Sequence, residues 1–258
     1  MKNRTKQRLK EGKHTCGLWL ILGSDMVAEA MAQVGFDWLC IDTEHGAGDF
    51  QETRAQLQSI ATSSTTPIVR PAVNDFTMIK KALDIGAHGL IVPWVNTKEE
   101  AEAVVQACKY PPDGLRGYAG GIRADRFGAD TDYLHTANEE LLIAIQIETR
   151  EAVQNIEEIV QVPGIDVIFI GPWDLSFSLG CPLDFDHPDH RAAMQRIETA
   201  AKAAGKVLGT VTGDLNDLAT YYERGYQFVA IGLDTGLLIN AAKAQLHNVR
   251  DVLNRELC

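Results

Sequence analysis

The chain has 258 residues, of which 45% are hydrophobic and 23% charged, close to the average for globular domains, so a disordered or fibrous protein is excluded. An all-parallel barrel of this length commonly forms one domain. The formal net charge of −11 offers no basic stripe for nucleic acid, and no apolar run approaches the roughly 20 residues of a membrane span.

The N-terminal segment and the cysteines indicate the compartment. Residues 1–14 read MKNRTKQRLKEGKH, a basic and polar segment without the apolar stretch of a signal peptide. The cysteines are odd in number and show no CxxC spacing, which argues against a disulfide framework and a zinc cluster. They are Cys16, Cys40, Cys108, Cys181 and Cys258. We therefore expect a cytoplasmic protein with free thiols.

Short apolar runs rich in β-branched residues alternate with amphipathic stretches along the chain, a pattern typical of buried parallel strands and covering helices. Eight strands are predicted, over residues 17–22, 37–42, 67–70, 89–93, 141–147, 166–170, 206–211 and 228–232. Helices are predicted over residues 24–35, 51–62, 75–86, 97–109, 149–160, 190–205 and 214–225. Several begin at Ser, Thr or Asp and end at Gly, as helix termini prefer.

Eight strands alternating with helices favour an α/β fold of the (β/α)8 TIM-barrel type over a doubly wound sheet. Neither a linker nor a low-complexity segment divides the chain, so we expect one domain over residues 1–258. The one long irregular stretch, residues 110–128, contains Arg116, Arg123 and Arg126. A loop of that length on a barrel is commonly functional, and a simple surface excursion is the alternative.

Polar residues follow several predicted strands at the end where barrel enzymes have their active sites. The second strand ends in DTEHG (42–46), the third in Arg70, the fifth in Gln146 and Glu148, and the sixth in GPWD (171–174). Because the strands are parallel, we expect these residues on one face of the barrel. The turn at Gly171 and Pro172 would also direct backbone N–H groups toward an anion.

Glu148 and Asp174 end two successive strands, where a carboxylate is costly to bury alone. Oxygen ligands without His or Cys suit a hard cation such as Mg²⁺ or Mn²⁺. Gln146 lies on the same side of its strand as Glu148 and would orient a metal-bound water. Pairing of one or both carboxylates with an arginine is the alternative, and the residues alone leave both open.

His45 and Arg70 are candidate catalytic residues. A histidine side chain ordinarily gains and loses its proton near neutral pH, so His45 could move a proton, with Asp42 or Asp84 holding its ring in the required tautomer. A surface histidine without a role is the alternative. The guanidinium of Arg70 fits a carboxylate or an enolate oxygen. A salt bridge from Arg70 to Glu44 or Asp42 is compatible with that role.

Five short motifs occur in one order along the chain: DTEHG (42–46), VRP (69–71), KYPPDGLRG (109–117), QIET (146–149) and IGPWDLS (170–176). In this order and spacing they resemble the metal-dependent (class II) pyruvate aldolases, the family of 2,4-dihydroxyhept-2-ene-1,7-dioate aldolase and 2-dehydro-3-deoxyglucarate aldolase. The resemblance runs from about residue 17 to about residue 238, nearly the whole chain.

The resemblance implies a (β/α)8 barrel, often a homohexamer in which the C-terminal helix packs on a neighbouring subunit. It implies that Glu148 and Asp174 bind a divalent metal cation (Mg²⁺, Mn²⁺ or Co²⁺), which pyruvate chelates. Arg70 would stabilise the enolate and His45 would serve acid/base chemistry. Asp42 and, with less support, Asp84 match the acidic partners of that histidine.

The resemblance also implies a pyruvate site lined by Arg70, Gln146, Gly171, Pro172, Trp173 and Asp174. Trp173 is a departure, because family members commonly have a small residue there, so the donor site or its entrance would be reshaped. The acceptor side, near residues 116–128 and Thr212, is where family members differ most.

The implied activity is that of a carbon–carbon lyase. It is reversible aldol cleavage of a 4-hydroxy-2-oxo acid, a 2-oxo-3-deoxy sugar acid or a related dioate, to pyruvate and an aldehyde through a metal-bound pyruvate enolate. The expected partners are these small molecules and further copies of the chain, without nucleic acid or membrane. Oxaloacetate decarboxylation, citrate-like condensation and non-catalytic binding of an oxo acid are the alternatives.

Overall fold

Eight parallel strands close into a barrel in which each strand pairs with the next along the chain and the last pairs with the first. The structure, a computed structural model, describes residues 2–253. The strands are β1 Thr15–Leu20, β2 Trp38–Asp42, β3 Thr66–Arg70, β4 Gly89–Val92, β5 Leu142–Ile147, β6 Val167–Ile170, β7 Val207–Val211 and β8 Tyr226–Leu233. The predicted (β/α)8 barrel is confirmed, with every predicted strand in place.

Helices connect successive strands and cover the outside of the barrel. Within residues 2–253 they are α1 Arg4–Lys10, α2 Asp25–Val34, α3 Phe50–Ile60, α4 Phe76–Asp84, α5 Lys98–Cys108, α6 Tyr133–Glu140, α7 Arg150–Gln154, α8 Ile156–Ile159, α9 Pro172–Leu179, α10 Pro188–Ala203, α11 Leu215–Glu223 and α12 Asp234–Leu253, with a 3₁₀ turn at Arg123–Asp125. The helix predicted over residues 149–160 is broken into α7 and α8 at Asn155. The Asn155 side chain donates out of the helix to the backbone carbonyl of Asn96, 2.9 Å away.

The alternation of side chains along each strand divides the core into two layers. One layer fills the barrel and includes Trp38, Phe169 and Phe228. The other lies between the strands and the helices. The indole of Trp38 stacks on Phe228 with the ring centroids 4.0 Å apart, and Gly17 on the neighbouring strand leaves the room that this indole needs.

Helix α1 closes the N-terminal end of the barrel, which the sequence did not predict. Thr5, Lys6 and Leu9 are buried, and Leu9 packs against the interior layer. The ammonium of Lys6 donates to the backbone carbonyl of Leu141 at 2.6 Å and to Asp166 at 2.8 Å, so its buried charge is compensated. The C-terminal end lies opposite, where the polar residues that follow the strands are found.

The long irregular segment, residues 109–132, lies at this closed N-terminal end because it follows α5 and leads into β5. Arg123 donates to the backbone carbonyls of Ile85 and Leu57, just after α4 and within the last turn of α3. Arg116 pairs with Asp84 at 2.7 Å. This segment was expected to lie beside the acceptor side of the site. Within one chain it does not, because loops that lead from a helix to the next strand lie at the N-terminal end of the barrel, opposite the site.

Helix α12 leaves most of its side chains exposed, among them Leu237, Leu238, Ile239, Leu246 and Val249. Its exchange between subunits stays a prediction.

None of the helices within residues 2–253 combines the length and the apolar character needed to cross a bilayer. The cysteines described, Cys16, Cys40, Cys108 and Cys181, are free thiols, and Cys258 lies outside the described residues.

The contact between Gly17 and Trp38 generates a stability prediction. A methyl group at position 17 would lie 2.1 Å from the Trp38 indole, so Gly17→Ala should lower the free energy of unfolding by about 1 to 3 kcal/mol through overpacking. Gly213→Ala is the matched control, because a methyl group there meets no atom within 4 Å. Urea denaturation of both variants checks this, and equal stability of G17A and the unchanged protein would contradict it.

Candidate active site at the C-terminal end of the barrel

Strand alternation brings four polar side chains together at the open end of the barrel. Asp42 and Arg70 are partners in the register between β2 and β3, and each follows residues whose side chains fill the interior. Gln146 and Glu148 continue the interior face of β5 in the same way. All four are buried, so each needs a polar partner.

Arg70 is the centre of a dense set of contacts. Its Nε and Nη2 donate to the two carboxylate oxygens of Asp42 at 2.9 and 2.6 Å, a bidentate pair. Its Nη1 lies 2.9 Å from Oε2 of Glu44, within ion-pair distance but without hydrogen-bond geometry, and 3.4 Å from Oε1 of Gln146. The guanidinium stacks on the Trp19 ring, with Cζ 4.4 Å from the centroid. Contacts on several sides therefore fix the orientation of the guanidinium.

The Glu148 carboxylate is held at both oxygens. Gln146 accepts from Arg70 through Oε1 and donates through Nε2 to Oε2 of Glu148 at 2.5 Å. The backbone N–H of Trp94, after β4, donates to Oε1 at 2.9 Å. Glu148 is 1% exposed, so these donors replace the water that it loses on burial.

The electrostatics around Glu148 and Asp174 fit a divalent cation. The pKa of Glu148 is raised to about 7, mainly by burial and in addition by the carboxylates of Asp174 and Glu44, whereas the Trp94 N–H and Arg70 oppose the rise. Within residues 2–253, neither Glu148 nor Asp174 has a cationic partner at ion-pair distance, so the predicted alternative of an arginine pair is not observed. A cation between them would relieve both the repulsion and the desolvation.

The donor set available to such a cation is small. No group of three or more His, Cys, Asp and Glu side chains in the described part of the chain is arranged to hold a metal ion. Glu148 and Asp174 would thus leave several positions to water and substrate oxygens, which suits a hard cation. Asp174 lies in the first turn of α9 and is only partly buried, so it is accessible from the barrel mouth.

Gly171 makes room for the Glu148 carboxylate. A methyl group at this position would lie 2.5 Å from Oε2 of Glu148 and 3.4 Å from Nε2 of Gln146. Pro172 follows at the first position of α9, where a missing N–H costs nothing. The N–H groups of Trp173 and Asp174 then stand at the helix start, where backbone donors lack intrahelical partners and attract anions.

Trp173 lies in the first turn of α9, next to Asp174. Its side chain is 41% exposed and lines a cavity of about 590 Å³ together with Thr212, Asp214 and Arg224. Thr212 is buried after β7, and its hydroxyl is engaged with the backbone of Asp214. Trp173 is therefore partly open to solvent, and the expected reshaping of the donor site or its entrance stays a prediction.

His45 stands at the rim without the acidic partners predicted for its ring. Its side chain is 64% exposed, and Nε2 is 4.0 Å from Oε1 of Glu44. Asp42 is occupied by Arg70 and accepts the backbone N–H groups of Glu44 and His45. Asp84 ends α4 at the closed end of the barrel, in the ion pair with Arg116. Asp42 thus positions the guanidinium and the loop, and Asp84 does not reach His45 within the chain.

Three contributors were not predicted as part of the site. Glu44 was considered only as a salt-bridge partner of Arg70, although it also lies near the His45 ring. Trp19 could have been found from its place near the end of β1, with an interior-facing side chain. Trp94 contributes its backbone N–H, a group that nearly every residue has, so the residue type does not reveal it.

Comparison with known proteins identifies the family of the chain. The model of the HpcH/HpaI aldolase/citrate lyase family matches residues 15–241. A 4-hydroxy-2-oxo-heptane-1,7-dioate aldolase of Salmonella dublin is 44% identical over 245 residues, which cover 95% of this chain and 93% of the relative. A crystal structure of a family protein from Burkholderia cenocepacia J2315 is 41% identical and superimposes with a TM-score of 0.93, covering 96% of this chain and 100% of that one. The citrate synthase SbnG is 30% identical with a TM-score of 0.88, over 97% and 98% of the two chains. The chain therefore belongs to the HpcH/HpaI aldolase/citrate lyase family, whose relatives named aldolases are carbon–carbon lyases, as its five motifs had indicated.

Proposed function

We propose that the protein catalyses reversible aldol cleavage of a 4-hydroxy-2-oxo acid to pyruvate and an aldehyde. The observation that carries the proposal is the connected set Asp42, Arg70, Gln146 and Glu148 at the open end of the barrel. It combines a fixed positive charge with an oriented carboxylate, within a family that includes named aldolases.

Glu148 and Asp174 are proposed to hold a divalent metal cation, Mg²⁺, Mn²⁺ or Co²⁺. When bound, the cation supplies Lewis-acid stabilisation for negative charge that develops on the oxo acid. Gln146 orients Glu148 for this task, and Gly171 keeps the space beside the carboxylate open. The N–H groups that start α9 are available to the carboxylate of the oxo acid.

Arg70 is proposed to stabilise the enolate oxygen. Cleavage of the C3–C4 bond leaves an electron pair on C3, which delocalises onto the C2 oxygen. A guanidinium that is already held near that oxygen stabilises the developing negative charge and lowers the barrier. Asp42, Trp19 and Gln146 hold the guanidinium in place before the substrate arrives, so little reorganisation is needed.

His45 is proposed as the acid/base group. It would take the proton from the C4 hydroxyl as the aldehyde forms, directly or through water, and return it in the direction of synthesis. Its exposure at the rim permits exchange of that proton with solvent. The carboxylate of Glu44 lies 4.0 Å from the ring and is the nearest acidic group to it among the ion pairs of the described residues.

The proposed substrates are 2-oxo-3-deoxy sugar acids and related dioates. The Salmonella relative, named for 4-hydroxy-2-oxo-heptane-1,7-dioate, supports the dioates. Trp173 and Thr212 are proposed to meet the aldehyde portion, because they line the cavity beside α9.

A screen of 2-oxo-3-deoxy sugar acids and related dioates, coupled to pyruvate detection with Mg²⁺, Mn²⁺ and Co²⁺ in parallel, tests the proposal. Oxaloacetate belongs in the same screen, and turnover of oxaloacetate alone would favour decarboxylation.

We further propose one barrel domain that works as a cytoplasmic homo-oligomer, with a hexamer favoured. The free thiols support a reducing compartment. The apolar side chains exposed along α12 support burial of this helix against another copy of the chain. Analytical ultracentrifugation of the protein tests the assembly.

The metal site generates a direct prediction. A chelator should abolish pyruvate release, and Mn²⁺, Mg²⁺ or Co²⁺ should restore it, because Arg70 alone cannot replace the cation. Glu148→Gln and Asp174→Asn should each lower kcat/KM by at least about 100-fold, the scale of a lost charge-stabilising group. Glu151→Gln, the same change at an exposed position one turn further along the chain, should stay within about twofold. Activity of E148Q at ordinary metal concentrations would contradict the assignment.

The role of Arg70 is tested by Arg70→Lys. Lysine keeps the positive charge but cannot hold Asp42 with two nitrogens while facing Gln146 with a third. We expect kcat to fall by roughly 100-fold or more while the affinity for Mn²⁺ stays within about threefold. Steady-state kinetics together with metal titration measure both quantities, and an unchanged kcat would exclude a specific role for the guanidinium.

Gly171→Ala probes the space beside Glu148. The added methyl group would collide with Oε2 of Glu148, so the carboxylate must move. The affinity for Mn²⁺ should fall by about 10-fold or more, as for other changes that reorient a metal ligand. Calorimetric titration measures this, with Gly213→Ala as the control. Equal affinities of G171A and the unchanged protein would show that the carboxylate position is not critical.

A further inference from the structure

The backbone of Trp94 is in an unusual conformation. Its φ is +55°, in the left-handed region that residues other than glycine rarely adopt and that large side chains disfavour. The indole is 51% exposed, so packing of the side chain does not explain the conformation. Such strain persists only where surrounding contacts impose it, and it concentrates at functional sites.

The contacts that impose this conformation begin on both sides of Trp94. The N–H of Val95 lies 3.4 Å from the backbone carbonyl of Gln146, which ties the chain after β4 to β5. The side chain of Asn96 donates through Nδ2 to the backbone carbonyl of Trp94 at 3.1 Å. The N–H of Asn96 donates to Oε2 of Glu100 at 2.6 Å. Trp94 is thus held within a short, fully bonded turn.

Asn96 also connects this turn to the segment that follows Glu148. The hydroxyl of Thr149, the next residue in the chain, donates to Oδ1 of Asn96. Asn155 donates from the break between α7 and α8 to the backbone carbonyl of Asn96 at 2.9 Å. The turn after β4 and the turn after β5 are therefore joined, with Glu148 between them.

The result of this arrangement is one donor on each oxygen of Glu148. The Trp94 N–H meets Oε1, and Gln146 meets Oε2. Two donors from different strands define both the position and the rotation of a carboxylate, and they leave its remaining lone pairs available. Gln146 alone would leave rotation about the side chain unrestrained.

We propose that Trp94 and Asn96 are positioning residues for Glu148: Asn96 keeps Trp94 in the left-handed conformation, and the Trp94 backbone N–H sets the orientation in which Glu148 receives a divalent cation. The proposal rests on the proposed function of Glu148 as a metal ligand. It makes the backbone of Trp94, and not its indole, the element that acts on the site. Asn96 contacts neither metal nor substrate and acts through Trp94 and Thr149.

The test measures the affinity of the full-length protein for Mn²⁺ without substrate, from the electron paramagnetic resonance signal of free Mn²⁺. Asn96→Ala removes the side-chain bonds to Trp94 and Thr149 and should weaken Mn²⁺ binding by about 10-fold. Trp94→Pro lacks the N–H and cannot adopt a positive φ, so it should weaken binding at least as much. Trp94→Gly keeps the donor and adopts the left-handed region readily, so it should bind Mn²⁺ at least tenfold more tightly than W94P.

Asn138→Ala is the matched control. Asn138 also bridges two segments, with side-chain bonds to the backbone N–H and carbonyl of Tyr110, but it lies at the closed end of the barrel. N138A should bind Mn²⁺ within about twofold of the unchanged protein, and thermal unfolding followed by circular dichroism shows whether both alanine variants lose similar stability. If W94P does not fold, the difference in Mn²⁺ affinity between N96A and N138A still tests whether Asn96 acts on the metal site.

Three results would overturn the proposal. They are an N96A variant with unchanged Mn²⁺ affinity, an N138A variant weakened as much as N96A, and a W94G variant weakened as much as W94P, which would move the effect to the indole. Glu148→Gln in the same assay shows whether Glu148 binds the metal at all, and so separates a failure of the positioning role from a failure of the proposed function. If E148Q binds Mn²⁺ like the unchanged protein, the metal site itself is wrong and both proposals fall.

Discussion

Every part of the site depends on one constraint: in a closed parallel barrel, alternate side chains of each strand must enter a narrow interior. Large rings such as Trp38 and Phe228 fill the middle of that interior, and α1 closes its N-terminal end. The interior-facing polar side chains that end β2, β3 and β5 lie beyond this packed middle, at the C-terminal end. There they are buried and lie close together, so each must find a partner or carry a charge that a ligand can compensate.

Burial also makes the charges of the site interdependent. The guanidinium of Arg70 is shared by Asp42 and Glu44, whereas Glu148 and Asp174 are left without a cationic partner in the described structure. The raised pKa of Glu148 follows from that arrangement, because burial and the neighbouring carboxylates disfavour its charged form. A divalent cation held by Glu148 and Asp174, as proposed, would compensate the same excess of negative charge. The orientation of the Arg70 guanidinium is fixed by Asp42 and Trp19, which is what its proposed role toward a substrate oxygen requires.

How far the sequence predicts the site varies with the kind of contact. Arg70, Gln146 and Glu148 were identifiable because their types are unusual at the ends of apolar strands and their spacing puts them on one face. Within one chain Asp84 does not reach His45, because α4 carries Asp84 to the closed end of the barrel, where it pairs with Arg116. The irregular segment after α5 lies at the same end, so both assignments to the site stay predictions. The Trp94 N–H could not be foreseen, since a backbone donor is present in nearly every residue and only its direction matters.

The sequence by itself determined the barrel, the order of its strands and of the helices predicted between them, the family, and the identity of the polar side chains at the strand ends. These depend on hydrophobic periodicity and residue type, which are local properties of the chain. The tertiary structure alone decided that the Asp42 carboxylate holds the Arg70 guanidinium, that α1 packs against the N-terminal end of the barrel, and that the turn after β4 directs an N–H at Glu148. Such pairings join segments far apart in the chain, and which donor meets which acceptor is set by backbone direction and distance, which residue types do not encode.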